Sequence, residues 1–169
     1  MNHPLLPLSE RTVEKDETYA VLGRALAYAT EFEDNCRKLA HLFDIENSNE
    51  DFSWIVWGLM KKGTLNDKIN SLIKTHNFPK WSANEIHNAR QGRNYIAHEA
   101  AQQHAELLET EKGRREFEYR IISVVRDITL GNQIVLEAYE MIKTGKYSAG
   151  SDMVAYDDEV YTWVCSKCL

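Results

Sequence analysis

The sequence predicts an all-α fold, an up-and-down bundle of about five helices with a short C-terminal appendix. Three observations carry this expectation. Only Pro4, Pro7 and Pro79 occur, so the stretches between and after them are free of the strongest helix breaker. Apolar residues recur at alternating three- and four-residue spacing over two long stretches, which is the period of one helix face. A chain of 169 residues with 43% apolar content suffices for one core without a second domain. The expected organisation is a tail over 1–9, the bundle over 10–145 and an acidic, aromatic appendix over 146–169.

The first helix is expected over roughly 13–44, where Tyr19, Leu22, Leu26, Ala29, Phe32, Cys36, Leu39 and Phe43 keep the helical spacing. Phe52, Ile55, Val56 and Leu59 mark a second helix. After Gly63-Thr64, Leu65, Ile69, Leu72 and Ile73 mark a third. Ser82-Ala83-Asn84-Glu85 has the form of a capping box and places the start of the fourth just after the Pro79 turn, with its end near residue 107. The last long helix carries Phe117, Ile121, Val124, Ile128, Gly131, Val135, Ala138 and Ile142, and Gly145 is its expected stop. Short links between such helices favour an up-and-down arrangement. In the appendix, Tyr156, Tyr161 and Trp163 beside Asp157-Asp158-Glu159 favour packing on the bundle or on a partner over free solvation. Trp54, Trp57 and Trp81 read as core or interface aromatics.

Composition narrows the function classes. The first residues lack a basic start and an apolar h-region, and no run approaches the ~20 apolar residues of a membrane span, so a cytoplasmic protein is expected. Three cysteines, with Cys36 alone on a helical pattern, argue for reduced thiols over a disulfide framework. Cys165-Ser166-Lys167-Cys168 has the spacing of a metal knuckle, but zinc takes four ligands and the chain holds no second pair. Two tail thiols, or a site shared across a dimer, are the alternatives; no metal or cofactor is expected. A net charge of −6 argues against a dedicated nucleic-acid binder, because affinity for phosphate backbones comes from clustered Lys and Arg. Any RNA contact must be local.

The chemistry-bearing stretch is Arg93-Asn94-Tyr95-Ile96-Ala97-His98, which sets a guanidinium, an amide and an imidazole within two turns of the expected fourth helix. On a straight helix Ile86, Ala89, Ile96, Ala97 and Ala100 share a core face. Arg93 projects into the middle of it, about 140° from His98. An arginine so placed must pair with a carboxylate, snorkel outward or face a cleft that an anion can reach. Glu31, Glu33 and Asp34 on the first helix are candidates for that carboxylate, against the plainer reading of a wet surface. Asn94 and His98 are helix neighbours, with His87 on the same line, and an amide beside an imidazole can fix its orientation. His87, Gln91 and Gln102 read as a solvated face. Gly92 costs about 1 kcal/mol relative to Ala in a helix interior, and a bend there would change the angle between Arg93 and His98.

These residue types fit metal-independent cleavage of an RNA phosphodiester. A histidine can take the 2′-hydroxyl proton or protonate the leaving oxygen, and an arginine fork stabilises charge growing on phosphate oxygens. Arg-Asn, three intervening residues, then His resembles the signature of the HEPN superfamily, whose toxin members are metal-independent ribonucleases. The resemblance extends to the helix of modest length around Thr64-Leu65-Asn66-Asp67-Lys68-Ile69 before the motif helix, and covers roughly residues 10–145. It implies a helical bundle that forms a homodimer, so that two copies of the motif line one cleft. It further implies Arg93, Asn94 and His98 as the catalytic set, RNA as substrate, a toxin or phage-defence role, and an antitoxin or other restraining protein partner. The alternative is a non-catalytic helical interaction module, an immunity or regulatory protein, in which the three residues tie helices together.

Overall fold

The computed structural model describes residues 11–47, 80–100, 106–144 and 153–166. The expected helices at 52–59 and 65–73 lie outside these residues, as do Trp54, Trp57, Gln102, Gly145, Cys168 and the side chains of Phe43 and Trp81. Every regular element among the described residues is helical: α1 (Val13–Asn47), α2 (Lys80–Asn94), a π-helical turn (Tyr95–Glu99), a 3-10 turn (Leu107–Glu109), α3 (Glu111–Thr144) and α4 (Met153–Cys165).

Helix α1 begins where Thr12 accepts the Lys15 backbone N–H on its hydroxyl at 3.3 Å, an N-cap that satisfies one of the orphan donors. Its buried face runs through Thr18, Val21, Ala25, Tyr28, Phe32 and Leu39. Tyr19 and Leu26, expected on that face, are 42% and 43% exposed. The inside positions between them belong to Thr18 and Ala25, which an apolar count overlooks. Helix α3 starts in the same way as α1, with Thr110 extended and its hydroxyl accepting the Gly113 N–H at 3.0 Å. It ends at Thr144, next to the expected glycine stop. Helix α2 begins at Lys80, just after Pro79 as expected, with Ser82 buried within its first turn.

Two close approaches set the direction of α2 against α3. A Cβ on Gly131 would collide with the Ala89 methyl group, and one on Gly92 would come within 2.9 Å of Val124 Cγ1. Residue 89 lies against 131 and residue 92 against 124, so the two helices are antiparallel and almost touch backbone to backbone. Gly92 therefore serves packing; it lies within the regular α2, and the departure from α geometry comes three residues later. On the other side, Thr18 donates to Glu118 at 2.9 Å and Asn35 to Asn132 at 3.1 Å, so α1 and α3 run parallel. Lys15, 7% exposed, holds the Glu109 carboxylate at 2.7 and 2.8 Å and ties the start of α1 to the 3-10 turn.

The core lies between α1, α2 and α3, with Phe32, Phe117, Ile121 and Ile128 among its largest fully buried side chains. Truncating such a phenylalanine to Ala typically costs about 3–5 kcal/mol. Helix α4 occupies the stretch expected as an appendix and runs antiparallel to α1 and α3. Val160 and Val164 are buried, Arg24 of α1 donates to the Val164 and Ser166 carbonyls at 2.9 and 2.6 Å, and Tyr156 meets Asn132 and Tyr28 at 3.1 and 3.3 Å. Asn35, Asn132, Tyr156 and Tyr28 thus form one hydrogen-bonded chain through the core. Burial pushes the Tyr28 hydroxyl well above the ordinary tyrosine range, so it stays a donor. No helix among the described residues is long and apolar enough to cross a membrane.

Candidate functional site

Arg93 and Asn94 close the α-helical part of α2, and the next five residues form the π turn, sealed by the Ala100 N–H donating to the Tyr95 carbonyl. Hydrogen bonds in a π turn run from i to i+5, and such turns are frequent at functional sites. The consequence here is direct: residues five apart, about 140° out of line on an α-helix, come onto one side. Nη1 of Arg93 lies 3.4 Å from Nε2 of His98. A guanidinium can only donate, so a hydrogen bond across this contact would fall on a lone pair of Nε2 of His98. A general base works through such a lone pair.

The turn is pinned by its own apolar residues. Tyr95 and Ile96 are 8% and 4% exposed, and the Arg120 guanidinium stacks 4.6 Å from the Tyr95 ring centre. Ile86, Ala89 and Ala100 are buried as expected, whereas Ala97 is half-buried.

Arg93 does project toward the core side, and it is resolved by pairing. Its Nη2 donates to Oε2 of Glu33 on α1, and its Nη1 donates to Oδ1 of Asn94 at 3.0 Å. The Arg93 and Glu33 side chains are only 23% and 20% exposed, so this ion pair is largely withdrawn from water. The other Glu33 oxygen accepts from Arg37, which also reaches Asp34 at 3.3 Å. Glu33 therefore bridges two guanidiniums and fixes the plane of the one that faces His98. Of the three acids suggested by the sequence, Glu33 reaches Arg93, Asp34 meets Arg37 and Glu31 is exposed. Arg37 entered no sequence argument. Its signal was its place four residues after Glu33, the spacing of a helix-face ion pair.

Asn94 is set to orient Arg93, where the sequence pointed to His98, because its amide oxygen accepts from the guanidinium. His87 is exposed and sits between Arg90 and Gln91, whose side-chain nitrogens lie 3.4 and 3.1 Å from its ring nitrogens. Cys36, one turn from Glu33 on the buried side of α1, has its thiol pushed up to about 12, first by burial and then by the Glu33 charge. Cys165 is half-buried beside Arg24 and Glu118, and burial raises its thiol as well. Among the described residues no three His, Cys, Asp or Glu side chains are grouped to hold a metal ion.

As chemistry, the cluster is a guanidinium held in plane by a carboxylate and an amide, next to an exposed imidazole. It can bind an anion and accept a proton at the same place. Comparison with known proteins returns no matching family model, no matching curated protein and no matching solved structure.

Proposed function

We propose that the chain is a metal-independent endoribonuclease of HEPN type, a toxin or phage-defence effector whose active site is completed in a homodimer cleft. The observation that carries this reading is the π turn. It departs from regular α-helical hydrogen bonding and brings Arg93 and His98 to 3.4 Å. In the proposed reaction His98 takes the proton of a ribose 2′-hydroxyl. The 2′-oxygen attacks the adjacent phosphorus, the 5′-oxygen leaves with a proton, and a 2′,3′-cyclic phosphate remains. Arg93 stabilises the charge that grows on the non-bridging oxygens. One protomer offers one imidazole for two proton transfers, so a second copy of the motif across a two-fold axis would supply the acid.

A second reading has its own observation. The Arg93–Glu33 pair joins α2 to α1 and is mostly buried, as a structural tie in an interaction module would be. Exposure of His98 favours the enzyme, since a tie has no use for an imidazole in water. The purified protein incubated with cellular RNA in EDTA separates the two readings. Cleavage to cyclic phosphate ends that survives the chelator is expected; intact RNA with and without added magnesium or zinc would leave the module.

A further inference from the structure

The candidate site is electrically balanced, and a polyanion needs more. The guanidiniums of Arg37 and Arg93 are matched one for one by the carboxylates of Glu33 and Asp34. The chain as a whole is negative, so attraction for phosphate must come from a cation beside this set.

Arg90 is that cation. No carboxylate pairs with it among the described residues. Its Nε is buried without a hydrogen-bond partner, and among the described residues its Nη2 meets the edge of the His87 ring at 3.4 Å. That Nε is closed off from solvent, so an anion would reach Arg90 at the Nη edge of its fork, where the charge has no carboxylate partner among the described residues. The Arg90 Nη2 faces Nδ1 of His87 at 3.4 Å, and the Gln91 side-chain nitrogen lies 3.1 Å from the other ring nitrogen. Arg90, Gln91 and Asn94 lie within one sector of α2, and Arg90 precedes Arg93 and Asn94 by about 4.5 and 6 Å along the axis. That separation is on the order of one nucleotide of a single strand, 3.4 Å of rise when stacked and more when extended. Gln91 between the two arginines, with His87 before them and Asn94 after, offers hydrogen bonds to unstacked bases.

We infer that Arg90, supported by His87 and Gln91, forms a second phosphate subsite that takes the phosphate next to the one at Arg93 and His98. Single-stranded RNA of three or more nucleotides is then the preferred substrate over a dinucleotide. This inference rests on the ribonuclease reading for its substrate, but its binding term can be read without cleavage.

The test uses the full chain and a fluorescein-labelled single-stranded heptaribonucleotide, a DNA strand of the same sequence, and an RNA dinucleotide. Arg90→Ala should weaken binding of both heptamers about tenfold at low salt and lower the slope of log affinity against log salt by about 0.7, the share of one phosphate on a single strand. Dinucleotide cleavage should keep its rate. Arg90→Lys should restore the salt slope and only part of the affinity, because it keeps the charge and loses the fork. Unchanged affinity and slope in Arg90→Ala would overturn the subsite, as would an equal fall in dinucleotide and heptamer cleavage. Parent protein that binds both heptamers with an Arg90-dependent slope but cuts neither RNA would sink the ribonuclease reading and uphold the subsite. Parent protein that binds none of the three strands would sink both.

Discussion

The Arg93–Glu33 pair can be measured with a double-mutant cycle of Glu33→Gln, Arg93→Gln and the double variant. A hydrogen bond to a charged group contributes about 1.5–3 kcal/mol. Both side chains here keep roughly a fifth of their surface in water and Glu33 is shared with Arg37, which argues for the lower end. The coupling energy should be about 1.5 kcal/mol. The two single variants should differ, because each leaves a different partner. Without Arg93, Glu33 is still held by Arg37, and the loss should be about 1 kcal/mol. Without the Glu33 charge, Arg93 is left half-buried with only Asn94 and His98 beside it, and the loss should be about 2 kcal/mol. For a chain of this size that corresponds to a Tm fall of about 4–8 °C in Glu33→Gln. In cleavage assays the same variant should lose about tenfold in kcat through a loosened guanidinium. It should bind RNA no more weakly than the parent, because a negative charge has left the site. Coupling below about 0.5 kcal/mol, with parental cleavage by Glu33→Gln, would refute the positioning role of Glu33.

Three other outcomes follow from the structure. His98→Ala should lower RNA cleavage by about 10² or more with little change in Tm, since the ring is exposed; a melted domain in circular dichroism would instead make the histidine structural. Light scattering at micromolar concentration should show twice the 19.5 kDa mass of the chain, and a monomer alone would remove the composite site. Stability should fall as pH rises above the ordinary thiol value of 9.0, because Cys36 ionises there in the unfolded chain while the folded thiol holds its proton up to about 12. Tyr28 adds to this loss at higher pH in the same direction, and a flat urea midpoint between pH 8 and 10.5 would contradict it.

The long helices were legible because their inside faces repeat over many turns. Helix α1 starts at Val13, as expected for a first helix over roughly 13–44, and α3 ends at Thr144, one residue before the expected stop at Gly145. Core positions held by Thr18, Ala25 and Asn132 were not legible, since polarity or small size hides them from an apolar count. The α4 helix carried its signal in Tyr156, Val160 and Val164 at four-residue steps, but three marks over one short helix are easily passed over beside an acidic cluster. In the candidate site, the projection of Arg93 gave pairing with a carboxylate as one of three outcomes, beside snorkelling outward and facing a cleft. The π turn was not legible: Ile86, Ala89, Ile96 and Ala100 fit a straight helix equally well, and the turn depends on contacts such as Arg120 over Tyr95 that come from another helix.

The parallel pairing of α1 with α3 has a consequence for how the chain is made. The partners of α1 are remote in sequence: Lys15 reaches 94 residues ahead, Asn35 reaches 97 and Arg24 reaches 140. A ribosome delivers α1 long before anything exists to cover Phe32 or Leu39, so the emerging helix presents a bare apolar stripe while some hundred residues are still untranslated. Contacts of such separation slow folding and leave sticky surface in the open. Glu33 meets Arg93 only after 60 further residues, and α4 arrives last to seal Tyr28 and Asn132. Full assembly of the bundle is therefore a late event in synthesis, and a nascent chain on the ribosome carries the residues of the site without their arrangement.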